Sequence, residues 1–238
     1  MSRIDCYLDI ASFYSYVVFA DLLSILDKLA ANGVEVEFHP VFLGGIMQRS
    51  GNRPPWVVKA KAKYLSWDTA RAARAVGIAN WGTPNNLFEL AKTLSPLRAL
   101  HYIKAKYPTP TFHAALMALF RKFWEPPHAH LFDDAVLEDA LATATSSLSP
   151  SGDGGSDRLF SADEVRRIMD ARDSFKNVLQ AETDRALELG AFGAPWLWVT
   201  NAQGVAEPFF GSDRFGEIYK HLGIAFQDLK VLTPAPKL

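Results

Sequence analysis

Ile4-Asp5-Cys6-Tyr7-Leu8-Asp9-Ile10-Ala11-Ser12-Phe13-Tyr14-Ser15-Tyr16 changes character partway along. Residues 4–10 alternate apolar and polar side chains, the period of a strand. A helical pattern takes over at roughly Ser15 and runs to Ala31, where Asn32-Gly33 is a stop signal. Val34-Glu35-Val36-Glu37-Phe38-His39 then alternates with period two as a second strand. A helix that carries the chain between two strands is the usual way to make them parallel.

The junction of that first strand and helix is where chemistry is expected. A helix N-terminus offers unpaired N–H groups and a positive dipole end, worth roughly 0.3–1 kcal/mol to a nearby anion. A thiolate held there has a depressed pKa. Ser12 and Ser15 read first as N-caps, the common role of serine before a helix. Both roles fit if Ser15 caps and Ser12 faces a site. Cys6 is the only cysteine and lies on the apolar side of the alternation, which reads as an inert core thiol. Without a second cysteine there is neither an intrachain disulfide nor a Cys-x-x-Cys pair, which fits an intracellular chain. Any thiolate at the junction would have to belong to a bound thiol.

Outward from this unit, residues 53–190 lose the strand signal and take up helical periodicity. Helices are expected over 56–76, 86–93, 95–106, 111–124, 133–147, 161–172 and 174–189. Ser95-Pro96 puts proline in a first turn, and Ser161-Ala162-Asp163-Glu164 has capping-box spacing. Thr145 to Asp157, rich in Ser and Gly, reads as a solvated, mobile surface loop. Strands return at Trp196–Thr200 and Ala206–Phe210 around the turn Asn201-Ala202-Gln203-Gly204, a hairpin, and Asp213 to Leu222 closes as a helix. The order β-α-β, helices, β-β-α is that of an α/β thioredoxin-like fold with an all-helical domain inserted. The expected boundaries are 1–52 and 190–238 for the thioredoxin-like part and 53–189 for the insertion.

Composition narrows the function. The chain has 238 residues, 49% hydrophobic and 21% charged, with net charge −1, so neither a nucleic-acid surface nor a polybasic membrane contact is indicated. No apolar stretch approaches the roughly 20 residues of a membrane span. The N-terminus reads as neither a signal region nor an Arg-rich leader.

Two further segments flank the expected site. In the order of elements above, Ala194-Pro195 precedes the third strand, where the thioredoxin fold carries a cis-proline facing the first helix. A cis bond would leave the N–H and C=O of Ala194 free to pair with a bound peptide. Gly211-Ser212-Asp213-Arg214 enters the last helix. Ser212 or Asp213 could cap it; equally, N–H groups, a hydroxyl and a carboxylate suit a ligand end that carries both carboxylate and ammonium.

Asp9 to Tyr16, Gly45-Ile46-Met47-Gln48-Arg49-Ser50-Gly51-Asn52-Arg53-Pro54-Pro55, Gly190 to Pro195 and Gly211 to Arg214 together resemble kappa-class glutathione transferases and the related 2-hydroxychromene-2-carboxylate isomerases, in the same order and over nearly the whole chain. That resemblance implies glutathione as co-substrate, no metal, an apolar electrophilic small molecule as second substrate, and a homodimer. It assigns Ser12 to the glutathione sulfur and Asn52 and Lys61 to ligand contacts. Ala194, before Pro195, would pair with the glutathione backbone, while Ser212, Asp213 and Arg214 would anchor its γ-glutamyl end. Tyr14 is a further contact. The implied enzyme is a kappa-like glutathione transferase acting in detoxification, in which Ser12 activates the thiolate by hydrogen bonding and forms no covalent intermediate. A glutathione-dependent cis-trans isomerase and a non-catalytic glutathione-binding module are the alternatives, and a peroxidase side activity is open. The resemblance also suggests a peroxisomal or mitochondrial location. Pro236-Lys237-Leu238 is similar to a weakened peroxisomal Ser-Lys-Leu signal, and the missing leader leaves the cytosol open.

The sequence departs from that pattern at Phe13, where a proline is common, and at Ala194, where a larger apolar residue is. Phe112, Leu116, Leu119, Phe120 and Phe123 form a helical stripe that reads as core, with a co-substrate pocket wall as its other use. Lys59 and Lys63 read as solvated. His128-Ala129-His130 lacks a third ligand at metal-binding spacing.

Overall fold

The computed structural model describes residues 1–152 and 157–227. Its elements in chain order are β1 (Ser2–Leu8), α1 (Phe13–Ala31), β2 (Val34–Pro40), α2 (Leu43–Ser50), α3 (Lys59–Ala75), α4 (Leu87–Leu90), α5 (Leu94–Lys106), α6 (Thr109–Trp124), α7 (Asp134–Ala142), α8 (Ala162–Ala171), α9 (Lys176–Glu188), β3 (Trp196–Thr200), β4 (Ala206–Phe210) and α10 (Phe215–Leu222). The sheet order is β2-β1-β3-β4. β1 runs parallel to β2, with Cys6 opposite Phe38, and antiparallel to β3, with Cys6 opposite Leu197. This is the thioredoxin-like α/β arrangement with helices between β2 and β3.

Strand parity decides which side chains enter the main core. Ile4, Cys6 and Leu8 of β1 join Val17, Phe19 and Leu22 of α1 and the Phe112, Leu116, Leu119, Phe120 and Phe123 stripe of α6 in one cluster. Every member of that stripe is at most 2% exposed. Tyr16 stacks on Phe120 at 5.1 Å, tying α1 to α6. Tyr7, of opposite parity, packs with Val41, Ile46, Ala186 and Trp196 in a second cluster, so the sheet is covered on both faces. Cys6 is fully buried, and desolvation pushes its thiol pKa up, away from reactivity.

The helices depart from those expected in several places, and the one expected over 86–93 is reduced to Leu87–Leu90. α2 was not among the helices expected from the sequence. It forms because Leu43 and Ile46 are buried and the Leu43 N–H is held by Asp9 at 2.7 Å. The helix expected over 56–76 is interrupted at Val58, whose extended backbone separates a short 3-10 turn at Pro55–Val57 from α3. The helix expected over 133–147 stops at Ala142. Beyond it the chain folds back on itself: Thr145 bridges Arg158, and the Leu159 N–H reaches the Ala144 carbonyl at 2.8 Å. The loop expected to be solvated is therefore anchored at its base. Ser147 is buried, and the Tyr16 hydroxyl donates to the Pro150 carbonyl at 3.3 Å. Pro236-Lys237-Leu238 lies outside the described residues. Among the described residues, no helix is long and apolar enough to cross a membrane.

Across the sheet from the main core, His39 sits between two carboxylates, 2.9 Å from Asp5 and 3.0 Å from Glu182, and stacks on Tyr7 at 4.7 Å. Burial alone would lower its pKa. The hydrogen bonds to Asp5 and Glu182 outweigh burial and hold it above the ordinary imidazole value. A raised histidine stabilises the fold fully below the unfolded value of 6.5, and that contribution fades as pH rises through the folded value. His39→Gln should therefore cost about 1.5–3 kcal/mol near pH 5.5, from charge-assisted bonds, and clearly less at pH 8.5. Urea midpoints of both proteins at the two pH values would show it; an equal loss at both would exclude the charge as its origin.

Candidate functional site

Ser12 is the N-cap of α1. Its Oγ accepts the Ser15 N–H at 3.1 Å, and its hydroxyl donates to the carbonyl of Ala194 at 2.9 Å. The cap expected of Ser15 is thus supplied by Ser12, which also keeps its expected place facing the cavity. Ser12 itself caps the helix, while the Ser15 Oγ accepts the Asp9 N–H at 3.4 Å inside the core. Ser12 is only 7% exposed, and it still forms part of a cavity wall because the turn Asp9–Ser12 brings it to the surface of the first helical turn. Phe13, in place of the proline common in the resembling family, packs into the core against Trp81 and Trp124, with ring centroids 4.6 and 5.1 Å apart.

Ala194–Pro195 is a cis peptide bond. The Ala194 carbonyl is not free, as the sequence suggested, because it already accepts the Ser12 hydroxyl. Beside it, Asn52 lies just after the αL residue Gly51 that ends α2, and its Nδ2 donates to the Phe192 carbonyl at 2.7 Å. The Phe192 and Phe210 rings pack at 4.5 Å and close this side. At the start of α10 neither Ser212 nor Asp213 caps the helix, so the capping alternative falls. Asp213 pairs with Arg214 at 2.8 Å in an exposed position.

A cavity of about 1380 Å³ gathers these segments. Ser12, Tyr14, Asn52, Lys61, Ala194, Pro195, Ser212, Asp213 and Arg214 all line it, so the residues expected to contact glutathione reach one space. Its apolar lining comes from Leu65, Ala72 and Val76 on or just after α3, Leu87 and Phe88 of α4, and Trp124 of α6, with Asp68, Thr69 and Arg71 of α3 as polar lining among them. Trp124 is fixed by an Nε1–H bond to the Ile10 carbonyl at 2.8 Å. The α6 aromatic stripe itself stays in the core and does not reach the cavity. Tyr14 faces the cavity, but its hydroxyl donates to Asp68 of α3, which also accepts the Tyr64 hydroxyl at 3.1 Å. Burial and this carboxylate push the Tyr14 phenol pKa up, so it stays neutral. Among the described residues, no group of three or more His, Cys, Asp or Glu is placed to hold a metal ion.

Sequence reasoning gave Asp9 no role, yet it organises the junction. It is fully buried, and its carboxylate accepts the Ala11 N–H at 3.0 Å, the Leu43 N–H at 2.7 Å and the Thr93 hydroxyl at 3.1 Å. One side chain thereby joins the β1–α1 turn to α2 and to the approach to α5. Desolvation raises its pKa to about 6 despite those three bonds. The available signal was an acidic residue ending an apolar strand immediately before a helix. Strand parity concealed it, since Asp9 falls in step with the less buried Asp5.

Known proteins share this architecture. The chain is 28% identical over 221 residues to "Glutathione S-transferase kappa 1" of Caenorhabditis elegans, covering 90% of this chain and 88% of that one. It is 26% identical over 223 residues to "Glutathione S-transferase kappa 1" of Homo sapiens, covering 92% and 89%. The solved structure of 2-hydroxychromene-2-carboxylate isomerase superposes with a TM-score of 0.67 at 18% identity, covering 93% of this chain and 94% of that one. The family model of the DSBA-like thioredoxin domain matches residues 3–147. That match runs from β1 through α7, more than half of the chain, and by it the protein belongs to the family of DSBA-like thioredoxin domains.

Proposed function

We propose that this protein is a kappa-like glutathione transferase in which Ser12 activates the glutathione thiol for attack on an apolar electrophile. The observation that carries the reading is Ser12 at the α1 N-terminus, against the cis Ala194–Pro195 bond, in one cavity with Asn52, Lys61 and Ser212-Asp213-Arg214. Two relatives named as kappa glutathione transferases, matched over about nine-tenths of the chain, support it. The protein's own thiol is buried, so a sulfur nucleophile has to arrive as a ligand.

In this reading glutathione lies along Ala194 with its sulfur toward Ser12. Asn52 and Lys61 contact it, and Ser212, Asp213 and Arg214 hold the γ-glutamyl carboxylate and ammonium. A free thiol ionises near pH 8.5. Lowering that by about two units, about 2.7 kcal/mol of thiolate stabilisation, makes the bound thiol mostly ionised at neutral pH. The thiolate then forms a carbon–sulfur bond to the electrophile and expels its leaving group. The volume beyond Ser12, walled by Leu65, Ala72, Val76 and Phe88, would take the apolar second substrate. A homodimer belongs to the same proposal.

With a model aryl halide, glutathione should be consumed in proportion to the halide released and recovered as a thioether. Glutathione recovered unchanged while a conjugated double bond isomerises would assign the cavity to isomerisation instead. Binding measured by calorimetry, with no turnover of either kind, would leave a binding module.

A further inference from the structure

The Ser12 hydroxyl has one proton, and the Ala194 carbonyl takes it at 2.9 Å. Its oxygen is engaged as well, by the Ser15 N–H at 3.1 Å. In this state Ser12 has nothing to donate to a sulfur. To reach one, the hydroxyl must rotate away from Ala194, and that carbonyl, half-buried beside buried Gly193 and Pro195, then loses its donor. A carbonyl left unpaired at such a place opposes the rotation. A peptide lying strand-fashion along Ala194 would supply a backbone N–H to the same oxygen.

We propose that Ser12 and the Ala194 carbonyl form a latch that a bound peptide opens: the ligand's cysteine N–H takes over the Ala194 oxygen and frees the Ser12 hydroxyl for the adjacent sulfur. This deepens the glutathione reading and rests on it. The consequence is a specificity rule. The thiol is activated because it arrives on an amide, and a small thiol without that N–H meets a serine already committed elsewhere. Rotation keeps the cap, since the Oγ can still accept the Ser15 N–H while its proton changes partner. Two neighbours hold the latch in place: Asn52 fixes the segment just before it through Phe192, and Gly211 donates its N–H to the Pro195 carbonyl at 3.4 Å just after it.

Two experiments test this. The first is a crystal of the protein with γ-glutamyl-alanyl-glycine, which has the central N–H and no sulfur. Neutron diffraction from that crystal should show the Ser12 deuteron turned away from the Ala194 oxygen and the peptide N–D directed at that oxygen in its place. A Ser12–Ala194 bond that survives beside the peptide N–H overturns the latch and leaves the glutathione reading standing. A tripeptide that fails to bind along Ala194 overturns both. The second uses the depsipeptide of glutathione in which an ester oxygen replaces the cysteine N–H, at concentrations that saturate by calorimetry, with ultraviolet thiolate absorbance followed against pH. Its ionisation midpoint should lie about one pH unit, or tenfold, above that of bound glutathione and close to that of glutathione on Ser12→Ala. Equal midpoints for glutathione and depsipeptide on the unaltered protein would overturn the latch.

Discussion

Ser12→Ala should lower kcat/KM for glutathione conjugation by about 10- to 100-fold and raise the ionisation midpoint of bound glutathione back toward that of the free thiol. A hydrogen bond to a charged group is worth about 1.5–3 kcal/mol, and each 1.36 kcal/mol is about tenfold in rate. KM should change less than kcat, because the lost bond is to the sulfur and the rest of the tripeptide keeps its contacts. The substitution also removes the α1 N-cap, so unfolding free energy should fall by about 1 kcal/mol. Comparison with Ser12→Gly isolates the two effects. Glycine at an N-cap costs only a few tenths of a kcal/mol, so this variant should keep the stability and lose the thiol shift. If both variants ionise bound glutathione as the unaltered protein does, Ser12 is a structural cap and the activating group lies elsewhere, the free N–H groups of the first α1 turn being the next candidates.

Much of the fold was legible because it rests on local signals. Strands β3 and β4 are short runs on either side of the turn Asn201-Ala202-Gln203-Gly204, whose Asn201 side chain accepts the Gln203 and Val205 N–H groups, so their limits could be read from the sequence. The capping box at Ser161 and Glu164 forms as its spacing predicts. Features set by distant partners were not legible. Gly44-Gly45 argues against a helix until Asp9 supplies an acceptor for Leu43 and the Phe42 ring fills the space beside the glycines. The pairing of Thr145 with Arg158 depends on two segments separated by residues of loop composition. At the candidate site, which residues share one cavity was readable and hydrogen-bond direction was not. The sequence led to Ser12, Tyr14 and Ala194, but the Ser12 proton goes to Ala194 and the Tyr14 proton to Asp68, across chain separations of 182 and 54 residues.

Asp9 is where the largest loss of stability is expected. Asp9→Ala would leave the Ala11 and Leu43 N–H groups and the Thr93 hydroxyl without their acceptor in a fully buried site. Unsatisfied buried donors cost about 1–3 kcal/mol each, so a loss of about 3–5 kcal/mol in urea unfolding is expected once partial relaxation is allowed. The same residue gives the fold a pH dependence of definite sign. Its folded pKa, about 6, lies above the ordinary aspartate value of 3.8. The native state therefore binds more protons than the unfolded state between those values. Stability from this group is complete below about 4 and declines as pH rises to about 6. The direction is opposite to that of Asp5 and Glu182, whose carboxylates are held low by their partners and are lost as pH falls. Asp9→Asn separates these contributions. It cannot ionise, so the decline between pH 4 and 6 should flatten, while the loss between pH 4 and 2 from Asp5 and Glu182 should persist. Its Nδ2 would face the Leu43 N–H or the Ala11 N–H, donor against donor, so its stability near neutral pH should still fall, by less than in Asp9→Ala. An Asp9→Asn protein with the same slope across pH 4–6 as the unaltered one would show that Asp9 is ionised throughout. The junction would then be held by a buried carboxylate whose three donors are enough to keep its charge.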